Sequence, residues 1–244
     1  MELQPIDYEA GGRSFTGYLA DGSNGGRVPG VLVIHEGGGL ADHTKESAAR
    51  LAGLGYVAFA MDLFGEPGAP IERLREIVRL MRADYGIVRA RCRAALEVVR
   101  SCPGTDSARL AAIGYCFGGA AAVELARDGA DLACIIGFHA GFITGPPAAD
   151  DKKIRGKVLM CQGAADPVVT AALRDDFAAR MEAAGVDWQM HVYGGIGHSF
   201  TNPAIDAWGL PGFAYHEVAD RRSWAAMLAL FGEAFDRGRP LTRL

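Results

Sequence analysis

Three residues with complementary chemistry stand in order along this 244-residue chain: Cys116, Asp166 and His198. Cys116 lies in Gly114-Tyr115-Cys116-Phe117-Gly118-Gly119, between the apolar run Leu110-Ala111-Ala112-Ile113 and an alanine-rich stretch over 120–126. A strand that ends in a side chain and passes at once into a helix must turn sharply, and small residues two before and two after relieve the crowding. Such a turn lifts the sulfur clear of a sheet and aims the unpaired N–H groups of the helix at any negative charge beside it. Asp166 follows the apolar run Val158–Gln162 in the turn Gly163-Ala164-Ala165-Asp166-Pro167, and His198 follows a final strand-like run, within Gly197-His198-Ser199-Phe200. An Asp before Pro is by itself commonly a turn former or a cap. The order nucleophile, acid, base, each just past a strand, points instead to a triad in which Asp166 orients His198 and His198 takes the thiol proton.

The loop after Val28–Ile34 reads His35-Glu36-Gly37-Gly38-Gly39-Leu40. Glycines there permit close backbone approach, and the amide of Gly37 joins that of Phe117 as the expected oxyanion hole. A dinucleotide fingerprint does not fit, since a Gly-x-Gly-x-x-Gly frame begun at Gly37 ends in Asp42, and no Gly-Lys-Ser/Thr phosphate loop occurs. The other cysteines, Cys92, Cys102, Cys134 and Cys161, sit in apolar runs without Cys-x-x-Cys spacing and are expected to be packing residues. No metal site or cofactor is expected.

These residues need a scaffold. Apolar runs of strand length occur at Val28–Ile34, Tyr56–Met61, Leu110–Tyr115, Leu132–Phe138, Val158–Gln162 and Trp188–Tyr193. Helical spacing occupies Thr44–Leu54, Ile71–Arg82, Tyr85–Arg100, Gly118–Arg127, Val169–Ala184 and His216–Arg237. Strand alternating with helix implies an α/β fold, a mostly parallel sheet with helices on both faces, which binds ligands beyond the carboxyl ends of its strands. Segments near Asp7–Ala10 and Arg13–Leu19, joined by Gly11-Gly12, read as an antiparallel hairpin at one edge.

At 50% hydrophobic and 22% charged, the composition is that of a globule with ample core, and the length suits one domain over residues 1–244. The formal charge of −4, with arginines scattered along helices, argues against nucleic-acid and membrane partners. No targeting segment is recognised at the N-terminus and an odd five cysteines make no disulfide framework, so a cytoplasmic location is expected.

The elbow 114–119, Gly163-Ala164-Ala165-Asp166, Gly197-His198-Ser199-Phe200 and Glu36 just after a strand together resemble the dienelactone hydrolase family, over nearly the whole chain. The resemblance implies an α/β-hydrolase fold, and hydrolysis of small esters or lactones through a thioester on Cys116. It also implies a resting neutral thiol hydrogen-bonded to the Glu36 carboxylate, which takes the proton when substrate arrives; a salt-bridged structural Glu36 is the alternative. Family members that hydrolyse dienelactone grip its carboxylate with two arginines. Arg73 matches the first by approximate alignment, whereas Asn202 stands where the second is expected, which weakens the expectation of an anionic substrate. Trp208, in the aromatic stretch 207–215, either walls the pocket or packs, and His139 either lines it or is structural. The implied partner is a small ester or lactone, with the chain a monomer or homodimer. Two other readings stay open: a non-catalytic binding protein that keeps the pocket, and a thiol redox protein, which would want a resolving cysteine nearby.

Overall fold

The computed structural model describes residues 2–142 and 145–236. Eight strands form one sheet: β1 (Gln4–Ala10), β2 (Arg13–Asp21), β3 (Val28–Ile34), β4 (Val57–Met61), β5 (Thr105–Tyr115), β6 (Cys134–Phe138), β7 (Lys157–Gly163) and β8 (Trp188–Tyr193). Their spatial order is β1-β2-β4-β3-β5-β6-β7-β8. β1 and β2 pair antiparallel with each other and β2 antiparallel with β4, and every later pairing is parallel, as the alternation of strand and helix implied. Gly11 and Gly12 both take positive φ, +58° and +73°, which is what a two-residue hairpin turn of matching twist requires.

The sheet is covered on both faces. α2 (Ile71–Ala83), α3 (Tyr85–Ser101), α4 (Phe117–Arg127) and α6 (Ala171–Ala184) pack on one side, and α1 (Asp42–Gly53) and α7 (Glu217–Phe235) on the other. Successive residues of β3 alternate between them: Leu32 and Ile34 join the first core, Val31 and Val33 the second. Central strands buried on both faces carry no polar alternation, which is why they read as unbroken apolar runs. Phe59, Phe117, Phe138 and Phe231 are almost wholly enclosed, and burial of a side chain this size stabilises by roughly 1.5–3 kcal/mol.

The differences from expectation lie where apolar signal is missing. β5 begins at Thr105, before its apolar run, because Thr105 and Asp106 pair with Val28 and Pro29 ahead of a register shift at Pro29/Gly30. Two short elements were not expected, the single turn α5 (Ala148–Asp151) and a 3-10 helix over Pro203–Trp208. The expected end of the last helix at Arg237 lies outside the described residues, as do Met1 and the Thr144 end of a loop.

Candidate active site

Cys116 sits between β5 and α4 with φ +50° and ψ −113°. A non-glycine residue in such a region costs of order 1–3 kcal/mol, and it persists only where the surroundings over-determine it. Here they do: Cys116 N donates to Phe138 O at 3.0 Å, while Gly141 N and Gly119 N donate to Cys116 O at 3.0 and 3.1 Å. The flanking glycines are a steric requirement. A Cβ on Gly114 would lie 2.1 Å from Gly118 O, and one on Gly118 would lie 2.3 Å from Ile34 O and 2.4 Å from His35 O. α4 is thereby seated on the ends of β5 and β3, with Cys116 half-buried at its N-terminus.

His198 Nδ1 and Asp166 Oδ2 are 2.7 Å apart, with both side chains sealed from solvent. The other Asp166 oxygen accepts from the amides of Val168 and Val169 at 2.7 and 2.9 Å, so the carboxylate cannot swing. His198 Nε2 has no oxygen or nitrogen partner within hydrogen-bonding distance among the described residues. Burial alone would lower the His198 pKa, but the neighbouring Cys116 sulfur, and then Asp166, overcome it and push the imidazole up to about 10. The loop carrying His198 is tied down rather than free, with His198 N donating to Gly212 O at 2.8 Å and Ala214 N to His198 O at 3.2 Å. Its glycines serve close contact: a Cβ on Gly197 would lie 2.2 Å from Gly212 O, and one on Gly163 2.3 Å from Ile196 O.

The amides of Gly37 and Phe117 donate to no other backbone group among the described residues. The turn that holds Gly37 closes through Gly39 N to Glu36 O at 3.1 Å, with Gly39 at φ +86°. His35, a residue the sequence did not single out, anchors this loop. Its Nδ1 is 2.7 Å from Glu36 O, and Leu63 N donates to its Nε2 at 2.9 Å.

Glu36 is within the site, yet no hydrogen bond joins it to Cys116. Its Oε1 accepts instead from Asn202 Nδ2. Burial raises the Glu36 pKa, and the Asn202 donor and the positive charge of His198 moderate the rise. His43 Nδ1 approaches the same oxygen at 3.7 Å, but burial lowers the His43 pKa to about 4, so the contact is not ionic at neutral pH.

The remaining expectations divide. Trp208 does reach the site: a Cβ on Gly38 would meet its Cη2 at 3.6 Å, and the indole stands 48% exposed above the loop. Phe213 from the same aromatic stretch packs edge-on against His198, with centroids 4.8 Å apart. Asn202 contacts Glu36 and caps the 3-10 helix, its Oδ1 accepting from Ala204 N at 3.0 Å, so its side chain is committed to the protein rather than to a substrate. His139 does not line the pocket. It is fully buried behind His198, with centroids 5.2 Å apart, and its Nε2 is 2.8 Å from Thr201 Oγ1. Burial first, then the charges of His198 and His43, hold it far below the usual imidazole range. Arg73 is likewise no open anion reader, because Glu66 takes it bidentately at 2.7 and 2.8 Å and Glu76 takes its Nη1 at 2.7 Å.

Arg82, nine residues further along α2, is the arginine that reaches the site. Its guanidinium lies 5.7 Å from the Phe117 ring centroid, and its Nη1 donates to Phe142 O at 3.1 Å. It meets no carboxylate among the described residues. Helical phase could have found it, since Val78, the residue nearest Gly37, and Arg82 are one turn apart on one face. A cavity of about 550 Å³ between β2 and the loop 62–69 touches Gly38 and Gly39, but none of Cys116, Asp166 and His198 lines it. Among the described residues no group of three His, Cys, Asp or Glu is placed to hold a metal ion, and no helix is long and apolar enough to cross a membrane.

The comparison with known proteins decides the family, because the model of the dienelactone hydrolase family matches residues 15–235. The chain belongs to the dienelactone hydrolase family. Membership places it among ester and lactone hydrolases. A carboxymethylenebutenolidase of a Pseudomonas species is 31% identical over 205 residues, which cover 80% of this chain and 82% of that protein. Among solved structures, one called m3DLH superposes with a TM-score of 0.91 at 45% identity, over 96% of this chain and 98% of the other. A dienelactone hydrolase-like promiscuous phosphotriesterase from metagenomic libraries gives the same TM-score and coverage at 39% identity. These likenesses extend over the sheet and both helical layers, so the fold is that of the dienelactone hydrolases, an α/β-hydrolase fold.

Proposed function

We propose that the protein hydrolyses small esters or lactones through a thioester acyl-enzyme on Cys116. The observation that carries this reading is the pairing of a strained elbow cysteine with a His198–Asp166 couple held at 2.7 Å. The Cys116 S–H proton passes to His198 Nε2, and the Sγ electron pair forms a bond to the substrate carbonyl carbon. The carbonyl π electrons move to oxygen, where the amides of Phe117 and Gly37 receive the charge. Each such donor contributes about 10²–10³ in rate. Collapse breaks the bond to the leaving oxygen, which takes the proton from His198 Nε2. Water then attacks the thioester while His198 accepts its proton, and collapse of the second tetrahedral species breaks the C–S bond, releases the acid and returns the proton from His198 to the sulfur.

Arg82 bears on substrate class. A guanidinium without a carboxylate partner at the cleft would pair with an anionic group on the acyl side of a lactone, the role Arg73 cannot take. Phosphotriesters form a second candidate class, supported by the 39% identical promiscuous phosphotriesterase. The test uses p-nitrophenyl acetate, neutral and anionic lactones and a p-nitrophenyl phosphotriester, with wild type and Cys116→Ala. Loss of turnover in the variant, together with an acetyl adduct on Cys116 by mass spectrometry of the wild type, is expected. Undiminished ester hydrolysis by Cys116→Ala overturns the reading.

A further inference from the structure

Helix α2 runs past the glycine loop with one face turned to it. A Cβ on Gly39 would meet both methyls of Leu74 at 3.9 Å, and one on Gly37 would meet Val78 at 3.8 Å, while the Arg82 guanidinium lies 5.7 Å from the Phe117 ring centroid. Leu74, Val78 and Arg82 recur every fourth position, so about 6 Å of helix axis separates each from the next. Gly37 is therefore flanked by Arg82 on one side and Leu74 on the other, and Leu74 lines the cavity of about 550 Å³. Phe64, in the wall of that cavity, stands 6.1 Å from Phe117 between ring centroids. The cavity thus continues the cleft past the loop, beyond the carboxyl ends of β3 and β4, where open sheets bind ligands.

Its walls join aromatic surface to one unclaimed charge. Phe15 and Phe64 supply the aromatic surface, and a Cβ on Gly65 would lie 2.7 Å from the Phe15 ring, so a glycine lets the loop close against it. Both carboxylates of the cavity are committed: Asp62 Oδ1 accepts from Phe64 N and Gly65 N at 2.9 and 3.0 Å, and both oxygens of Glu66 accept from Arg73. Lys45 is not committed. Its ammonium stands 4.2 Å from the Tyr18 ring centroid and meets no carboxylate among the described residues.

We propose that this cavity is a subsite for the leaving alcohol of an ester, and that it takes a bulky aromatic alcohol carrying an anionic end within reach of Lys45. The proposal rests on ester hydrolysis at Cys116 and extends it to a substrate class, esters of large anionic alcohols, that a small lactone does not represent. An acyl group held toward Arg82 and an alcohol laid across Gly38 put the scissile carbonyl between them, at Gly37. Trp208, whose Cη2 would lie 3.6 Å from a Cβ on Gly38, stands over the crossing.

Phenyl acetate, 2-naphthyl acetate and 6-sulfo-2-naphthyl acetate share one acyl group and differ in the size and charge of the alcohol. Each variant is read as a ratio of kcat/KM between two of these esters, referred to the same ratio in wild type, which cancels intrinsic reactivity. Lys45→Met keeps the apolar stem and removes the charge, and should lower the sulfonated-to-neutral naphthyl ratio by about fivefold to tenfold, while Lys45→Arg holds it. Ala69→Phe fills the cavity from its loop and should lower the naphthyl-to-phenyl ratio by about tenfold. Fluorescence titration of 6-hydroxynaphthalene-2-sulfonate, the product alcohol, probes the same subsite without turnover, and its Kd should rise in Lys45→Met by a factor like that of the ratio. A sulfonated-to-neutral ratio unchanged in Lys45→Met, or a naphthyl-to-phenyl ratio unchanged in Ala69→Phe, overturns the proposal. Unchanged ratios with phenyl acetate turnover that still requires Cys116 remove the subsite and leave the reaction standing. Naphthol binding that weakens in Lys45→Met while wild type turns over no ester keeps the subsite and removes the reaction.

Discussion

His198 Nδ1 lies 2.7 Å from Asp166 Oδ2, and neither side chain touches solvent. In Asp166→Asn the amide can present its NH₂ to Nδ1 and favour the tautomer with the proton on Nε2, which cannot accept from sulfur. Turnover of p-nitrophenyl acetate should fall by about 10²–10⁴ with KM little changed. A drop under threefold would show that Asp166 is only a turn residue, which its bonds to Val168 and Val169 also make it.

Gly118→Ala places a methyl 2.3 Å from Ile34 O, a contact that backbone cannot relieve without parting α4 from β3. The variant should lose several kcal/mol of stability and be found largely in the insoluble fraction, in line with overpacking against main chain. A Tm within two or three degrees of wild type would mean that the elbow has slack the geometry does not show.

His43 carries the clearest pH signature. Its folded pKa, about 4, lies below the ordinary value of 6.5, so the folded state binds a proton less readily than the unfolded one. Its contribution is therefore neutral above pH 6.5, and destabilisation grows as pH falls from 6.5 toward 4, reaching roughly 3 kcal/mol. Urea titrations at pH 7 and pH 5 should show a smaller loss in His43→Gln than in wild type. Equal slopes would assign the acid sensitivity elsewhere.

Arg82→Ala should lower kcat/KM for an anionic lactone by about tenfold to a hundredfold, the worth of one charge-assisted hydrogen bond, and leave a neutral ester within twofold. Arg73→Ala should affect neither substrate, because Glu66 and Glu76 already saturate its fork. The reverse pattern would return the anion-reading role to Arg73.

Asp151 accepts from Arg127 Nε at 2.6 Å and from Arg180 Nε at 2.8 Å while almost wholly buried. Asp151→Ala strips an acceptor from both and should cost about 3–5 kcal/mol. Chemical denaturation measures it, and a change below 1 kcal/mol would mean that the remaining acidic groups take up the load.

The central strands were legible because burial on both faces erases polar alternation, and the elbow was legible because only glycine fits where backbone meets backbone. The polar start of β5 was not, since Thr105 and Asp106 join the ladder by register alone. Within the site, the order of Cys116, Asp166 and His198 survives in the chain because each follows a strand. Which carboxylate an arginine meets does not: Arg73 and Arg82 occupy the same helix, and only the fold turns one toward Glu66 and the other toward Phe117. The hydrogen bond from Asn202 to Glu36 joins residues 166 apart in sequence, which no local pattern encodes.

The glycine at 118 rests directly on the carbonyls of Ile34 and His35, so the turn that carries Cys116 bears on the segment that leads into Gly37. The spacing between Cys116 and the amides of Phe117 and Gly37 is therefore set by main chain against main chain. Side chains that wall the cleft, such as Val78 and Trp208, stand outside that contact and can be exchanged without altering it. A scaffold of this kind can change the walls of its cleft by ordinary point substitution while the frame around Cys116 stays at one fixed gauge.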